Sequence, residues 1–520
     1  MEFESINAGF LSIIPPLIAI ALALITKQVI FSLVIGILSG TLIYSIATGL
    51  GPMALFHVAS DLMIDKAGGN ASMLIFLAML GALVAAVTRA GGSRAYAHWA
   101  SGKIKSAKGA SFATVVLGLI LFIDDYFNCL TVGTVMRPIT DKFKISREKL
   151  AYLIDSTAAP ICVIAPVSSW AVAVVSLLSD MEGMTGMQAF ISTIPMNLYA
   201  LLTIFMIGWL SLRPHDDFAS MRRAQIRAEG GQIQPGDPEE ADDEISRMLT
   251  SDKGLVWDLI IPVLFLVVFC VIAMLFYGGF YDIEGTLGHR IFEAFGETDA
   301  GLALSLGGFG SLFVAFILYV PRKVMKFTEF FTAITAGIKA MVPALIILTL
   351  AWTISGVCRD LLSTGPYVAG LVEQSHFPVL LIPAILFAIA AGLSFAIGTS
   401  WGTFGILIPI TIAVCVSVAP WLTITSLAAV LGGAVFGDHS SPISDTTILA
   451  STGAQCKFID HVHTQIPYAI TVAAVSFVGY LIAGLTSTMG FGVSVAITLP
   501  LSLVLLAVAL IVIPKVANRA

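Results

Sequence analysis

The sequence predicts an all-α polytopic membrane protein of two inverted repeats, each with a re-entrant hairpin and a broken helix, and about 11 transmembrane spans. Three observations lead there. Of 520 residues, 57% are hydrophobic and 12% charged, against roughly 25% charged in soluble domains. Apolar stretches near the roughly 20 residues needed to span a bilayer recur along the whole chain. Two of them carry acidic or helix-breaking residues that a plain span does not tolerate.

Composition also excludes classes of function. There is no basic tract for nucleic acid, and the acidic start MEFESINAGF lacks the basic n-region of a cleavable signal peptide. Six cysteines stand singly without metal-type spacing and read as packing residues. No HExxH or Walker pattern is present, which argues against an enzyme.

In order, apolar segments fall near 10–26, 28–49, 72–88, 109–136, 150–179, 190–210, 257–277, 301–320, 330–356, 378–416, 421–450, 465–485 and 491–514. Segment 109–136 holds Asp124 and Asp125 at its middle and lies between two basic loops. Excess Lys and Arg marks the cytoplasmic side, so both its ends face the cytoplasm and it folds back as a hairpin. Segment 378–416 is too long for one span and is interrupted by GLSFAIGTSWGT. It is read as a second hairpin entering from the opposite side. With both treated so, only Lys66, Arg290, Lys339 and Arg359 of the 27 Lys and Arg fall off the cytoplasmic side. The N-terminus is then outside and the C-terminus in the cytoplasm of a multi-pass protein of the inner (cytoplasmic) membrane.

The long polar stretch 212–256 divides the chain. Residues 1–211 form the first repeat, with spans 1–5 and hairpin 109–136. Residues 212–256 form a solvated, partly helical cytoplasmic linker, and 257–490 the second repeat, with hairpin 378–416 and broken helix 421–450. Residues 491–520 supply an additional span. Each repeat has three spans, a hairpin and two spans, in opposite orientation. IDDYFNCLTVGTVMRPI at 123–139 pairs with FAIGTSWGTFGILIPI at 395–410. PICVIAPVSSW at 160–170 pairs with FGDHSSPISDT at 436–446 when Pro166 is set against Pro442. Inverted repeats with discontinuous helices place a transporter's site near the midplane.

The stretch GGAVFGDHSSPISDTTILASTGA at 432–454 carries Asp438, His439 and Asp445 with a proline and many hydroxyls inside apolar sequence. Four polar stretches are expected to converge. The first hairpin offers Asp124, Asp125 and Asn128, and the broken span after it Asp155, Ser168 and Ser169. The second hairpin offers Thr399 and Ser400, and its broken span Asp438, His439, Ser441, Ser444, Asp445 and Thr446. Carboxylates, carbonyls and hydroxyls are hard oxygen ligands, suited to a hard cation. Buried carboxylates also take up protons. Sodium is expected at Asp445, Ser444 and Asn128, with Asp445 as proton carrier. The coupling species are sodium and protons, and no cofactor is expected.

These runs resemble a known family. GDHSSPISDTTILASTGAQC with HVHTQIPYA, and FIDDYFNCLTVGTVMRPITDKF with DSTAAPICVIAPVSSW, are similar to the distinctive segments of the NhaC-type sodium/proton antiporter family. The resemblance covers most of both halves and omits the linker and the extreme termini. It implies a homodimer in membrane lipid with an elevator-type mechanism, exchanging sodium for protons. Similar sequences include exchangers of organic anions, so a sodium-coupled exchanger of a small organic acid or amino acid is the alternative. SSW after Pro166 stands where the second half has SDT, so the half-sites differ chemically.

Overall fold

The computed structural model describes residues 4–26, 28–178, 181, 183–213, 216–232, 251–364, 366–367, 370, 378–442 and 444–517. Among them every regular element is a helix. Ten helices are long and apolar enough to cross a membrane, or 11 if Gly186–Met196 and Leu198–Leu212, bent by 49°, form one span. The membership differs from the expected set of about 11. Stretch 150–179 is no single helix, being cut into Arg147–Asp155, Ala159–Cys162 and Ser169–Leu177. Each arm of 378–416, by contrast, reaches 19 residues, Val379–Ile397 and Ser400–Val418.

The outer helices turn apolar side chains outward. Leu264, Val268, Ile272 and Phe276 recur every fourth residue along Trp257–Tyr277 and are all exposed. Such a stripe suits lipid, while polar side chains such as Asp155, Asp438 and Gln465 are buried inside.

The helices that build the site are labelled in chain order: α1 Ala107–Ile120, α2 Asp125–Lys142, α3 Arg147–Asp155, α4 Ser169–Leu177, α5 Leu198–Leu212, α6 Ala219–Glu229, α7 Ile382–Ile397, α8 Ser400–Val418, α9 Thr423–Ser440, α10 Asp445–Ala454 and α11 Phe458–Thr486. Local chemistry sets the breaks. Asp124 is extended (φ −152°) and its carboxylate accepts from Phe127 N at 2.9 Å, which stops α1 and starts α2. Gly398 ends α7 in the left-handed region at φ +71°, where a side chain is strained, and Thr399 returns the chain to extended geometry before α8. Ser168 and Ser444 each stand two residues after a proline. Each caps the helix beyond its break, accepting from Ala171 N at 3.0 Å and Thr447 N at 3.1 Å. Caps of this kind stabilise a helix start by about 1 kcal/mol.

Glycines let the broken helices touch. A Cβ on Gly433 would lie 2.4 Å from Phe387 O, and one on Gly437 2.3 Å from Ala391 O, so α7 runs against α9 backbone to backbone. A Cβ on Gly133 would lie 2.4 Å from the carbonyl carbon of Gly453, so α2 from the first hairpin crosses α10 from the second half. Close approach through small residues is how helices pack in lipid. Gly133→Val is therefore expected to force α2 and α10 apart, at a cost of about 1–3 kcal/mol or more. Melting of the detergent-solubilised protein checks this: a midpoint equal to that of the unsubstituted protein would show that the crossing is slack.

Of the linker, residues 214–215 and 233–250 lie outside the described residues. The segment before them is packed. Helix α6 buries Met221, Ala224, Gln225 and Ala228 against α3 and α11. Asp217, just before it, is fully buried and ion-paired with Lys149 at 2.7 Å.

Candidate functional site

Two clusters of buried polar groups meet where α8, α9, α10, α3 and α11 come together. In the first, Asp438 near the end of α9 accepts on Oδ2 from Ser400 Oγ at 2.8 Å and Thr446 Oγ1 at 3.2 Å. Ser444 Oγ lies 3.2 Å from Thr446 Oγ1. Ser441 donates to Phe395 O at 2.7 Å, which ties the break after α9 to the end of α7. Thr399 supplies the extended residue that leads Ser400 into this cluster.

The second cluster surrounds Asp155, the last residue of α3 and fully buried. Its Oδ2 accepts from Gln465 Nε2 at 2.6 Å and Thr447 Oγ1 at 3.1 Å. His461 Nε2 is 3.5 Å from Oδ2, and His439 Nε2 is 3.8 Å from Oδ1. The His439 ring is fixed at both ends, 3.2 Å from Asp155 O and 3.2 Å from the Tyr199 hydroxyl. Gln465 Nε2 also donates to His439 O at 2.7 Å.

The clusters are joined through the backbone. Asp438 and His439 are neighbours on α9, and Thr446 and Thr447 are neighbours on α10. In each pair the first residue serves Asp438's cluster and the second serves Asp155.

The first hairpin contributes differently. Asp124 acts as the cap of α2, and Asp125 Oδ2 accepts from Trp170 Nε1 at 2.9 Å. Ser169 N donates to Ile123 O at 2.8 Å, so α4 begins against the hairpin tip. Trp170 then reaches the second hairpin, with ring centroids 6.1 Å from Trp401 and 5.3 Å from Phe404. Asn128 Nδ2 donates to Gly118 O at 2.8 Å, Leu121 O at 3.2 Å and Thr157 O at 2.9 Å, drawing three carbonyls together beside the break after α3. Ser168 donates to Cys162 O and Ala165 O at 2.8 and 2.9 Å.

The residues expected from sequence thus divide. Asp155, Asp438, His439, Ser400, Ser444 and Thr446 share the two joined clusters. Asp124, Asp125, Asn128, Ser168 and Ser169 fasten the first hairpin to the breaks around it. Asp445 begins α10, and its side chain lies outside the described residues. Sequence reading missed Tyr199, His461 and Gln465. The signal for the last two was present: His461 and Gln465 stand one helical turn apart in HVHTQ, on one face of a long apolar helix. Their meaning shows only in the fold, where His461 and Gln465 are buried against Asp155 while His463 between them is exposed.

Comparison with known proteins agrees with the residues quoted above. Residues 161–485 match the Na+/H+ antiporter family, a range that takes in α4, both arms of the second hairpin, α9, α10 and most of α11. A Haemophilus influenzae protein described as uncharacterized is 38% identical over 496 residues, 94% of this chain and 93% of its own. A malate-2H(+)/Na(+)-lactate antiporter of Bacillus subtilis is 31% identical over 194 residues, 35% of this chain and 39% of its own. An arginine/ornithine antiporter of Halobacterium salinarum is 34% identical over 134 residues, 24% of this chain and 27% of its own. The matches and the long apolar helices describe a multi-pass membrane transporter rather than an enzyme. With well over half its length inside the match, the chain belongs to the Na+/H+ antiporter family and is a secondary transporter.

Proposed function

We propose that this transporter exchanges sodium for protons across the cytoplasmic membrane, with the two joined clusters at its centre. The observation that carries the reading is Asp155. It is a fully buried carboxylate whose partners are a hydroxyl, a carboxamide and two imidazoles. None of these is a fixed cation. A carboxylate buried at membrane depth without one is costly, and either a proton or a hard cation relieves it. Hydroxyls of Ser400, Thr446 and Thr447 stand within the same clusters as oxygen ligands. In this reading sodium is held where α9 breaks into α10, by Ser444 and Asp445, with Asn128 from the first hairpin completing the set.

The inverted repeat belongs to the same reading. Its support is that Ser168 and Ser444, matched by setting Pro166 against Pro442, cap equivalent helices. An elevator-type motion in a homodimer follows from the resemblance. The test is reconstitution into liposomes: an imposed sodium gradient moves protons without added organic solute. Proton movement that needs a particular solute would replace this reading with the second one.

The second reading is sodium-coupled exchange of a small organic acid or amino acid. It is favoured by the malate/lactate and arginine/ornithine antiporters among the relatives.

Orientation is part of the proposal, with the N-terminus outside, the C-terminus inside and both ends of the first hairpin in the cytoplasm. Ser106 is exposed before α1, and Lys142 is exposed at the end of α2. Ser146 is buried as the cap of α3 and makes a poor probe. Ser106→Cys and Lys142→Cys in a cysteine-free background are expected to react with an impermeant maleimide from the same, cytoplasmic side. Labelling from opposite sides would make the hairpin a span and remove the inverted repeat.

A further inference from the structure

We propose that Asp217, in the segment between the two halves, is a positioning residue for the site around Asp155. This inference rests on the exchange reading above. Helices α3 and α11 meet along three successive rungs. Innermost, Asp155 takes Gln465 at 2.6 Å, with His461 3.5 Å away. Next, the rings of Tyr152 and Tyr468 meet edge to face with centroids 4.9 Å apart. Outermost, neither helix supplies the joining group. Lys149 on α3 and the Tyr468 hydroxyl on α11 are bridged by the two oxygens of Asp217, at 2.7 Å and 2.8 Å.

Lys149, Tyr152 and Asp155 recur every three residues along α3, and His461, Gln465 and Tyr468 share one face of α11. The carboxylate of Asp217 therefore fixes how far one helix stands from the other, and the Lys149 it holds stands about 9 Å along α3 from Asp155. The surroundings hold Asp217 itself in place. Phe218 packs on Tyr468 with centroids 4.6 Å apart. Gln225 on α6 accepts from Ser146 N and donates to Lys144 O, both at 3.0 Å, which pins the start of α3. Lys149 is only 2% exposed and Asp217 is fully buried.

The segment joining the halves is thus built into the wall of the site. It sets the distance at which Gln465 and His461 present themselves to Asp155. A shift there changes how tightly the site holds its ion before it changes whether the protein folds.

The test is sodium-driven proton movement in proteoliposomes, read as the apparent sodium constant and the maximal rate separately. Asp217→Asn is expected to raise the apparent sodium constant ~10-fold, the lower end of what losing a supporting contact costs an ion site. Tyr468→Phe, which removes one hydroxyl from α11, is expected to shift it in the same direction by less. Asp217→Glu, which keeps the charge, is expected to recover part of the loss. An unchanged sodium constant in Asp217→Asn, or a lowered melting temperature as its only effect, overturns the proposal. If Asp217→Asn does not fold, Tyr468→Phe decides: an unchanged constant overturns the proposal and a raised one sustains it. Unsubstituted protein that moves no protons in response to sodium overturns the exchange reading instead. The same variants are then read on the flux of the solute that the unsubstituted protein carries.

Discussion

Asp155→Asn is expected to lower sodium-for-proton exchange by ~100-fold or more, the scale lost when a group that gives and takes a proton is removed. The placement of this carboxylate is unfavourable on every count that folding alone would weigh. It ends α3, where the helix dipole is negative and repels a negative side chain. It is fully buried, and the groups gathered on it are neutral or titratable. Asparagine keeps the shape and an oxygen that can accept from Thr447 and Gln465, so the variant is expected to insert and purify as the unsubstituted protein does. Exchange in proteoliposomes and the elution profile in detergent separate the two effects. Full exchange by Asp155→Asn would return this residue to a structural role and leave Asp438 and Asp445 as the carriers.

Asp445→Asn is expected to abolish coupled exchange while the protein still folds and inserts. Asp445 is the first residue of α10. On one side Ser444 caps that helix, and on the other Thr446 donates to Asp438 and Thr447 to Asp155. A charge at this position sits between the two clusters in sequence, at the positive end of a helix dipole. Substitution with Asn removes the exchangeable charge and retains an oxygen ligand. Asp438→Asn is expected to act more weakly, because an amide oxygen can still accept from Ser400 and Thr446. Sodium-dependent transport at the normal rate and with the normal pH profile in Asp445→Asn would eliminate the assignment.

The sequence exposes the parts of this protein that break a strong pattern. Pro166 and Pro442, and the acidic pair at 124–125, interrupt long apolar runs, and each interruption is a helix break in the structure. What stays hidden is which polar residue works on which partner. Asp124 and Asn128 read as site groups because a carboxylate and an amide in lipid demand a reason. Their reason is partly structural: one caps α2 and the other holds three carbonyls together. Gln465 shows the converse. An amide in a helix of tyrosines, threonines and alanines looks like filler until α3 is laid beside it and Asp155 appears 2.6 Å away. Asp217 was illegible for a third reason. It sits in a charge-rich stretch whose composition describes the exposed side chains and not the one that turns inward.

The neighbour pairs Asp438–His439 and Thr446–Thr447 bear on how such a protein changes its preferences. Adjacent residues on a helix cannot be re-aimed independently, since a rotation that carries Asp438 away from Ser400 also carries His439 off Asp155 and Tyr199. On the proposed reading, a change of ion or solute made by moving α9 or α10 is therefore felt by both clusters. Ser400 is free of that constraint. It enters from the second hairpin, on α8, and donates to the Asp438 carboxylate at 2.8 Å. Exchanging it for a larger or smaller polar side chain alters the cage around one carboxylate and leaves the bonds to the other in place. Diversification of substrate within this architecture should accordingly be written in the hairpin tip sooner than in the acidic stretch itself.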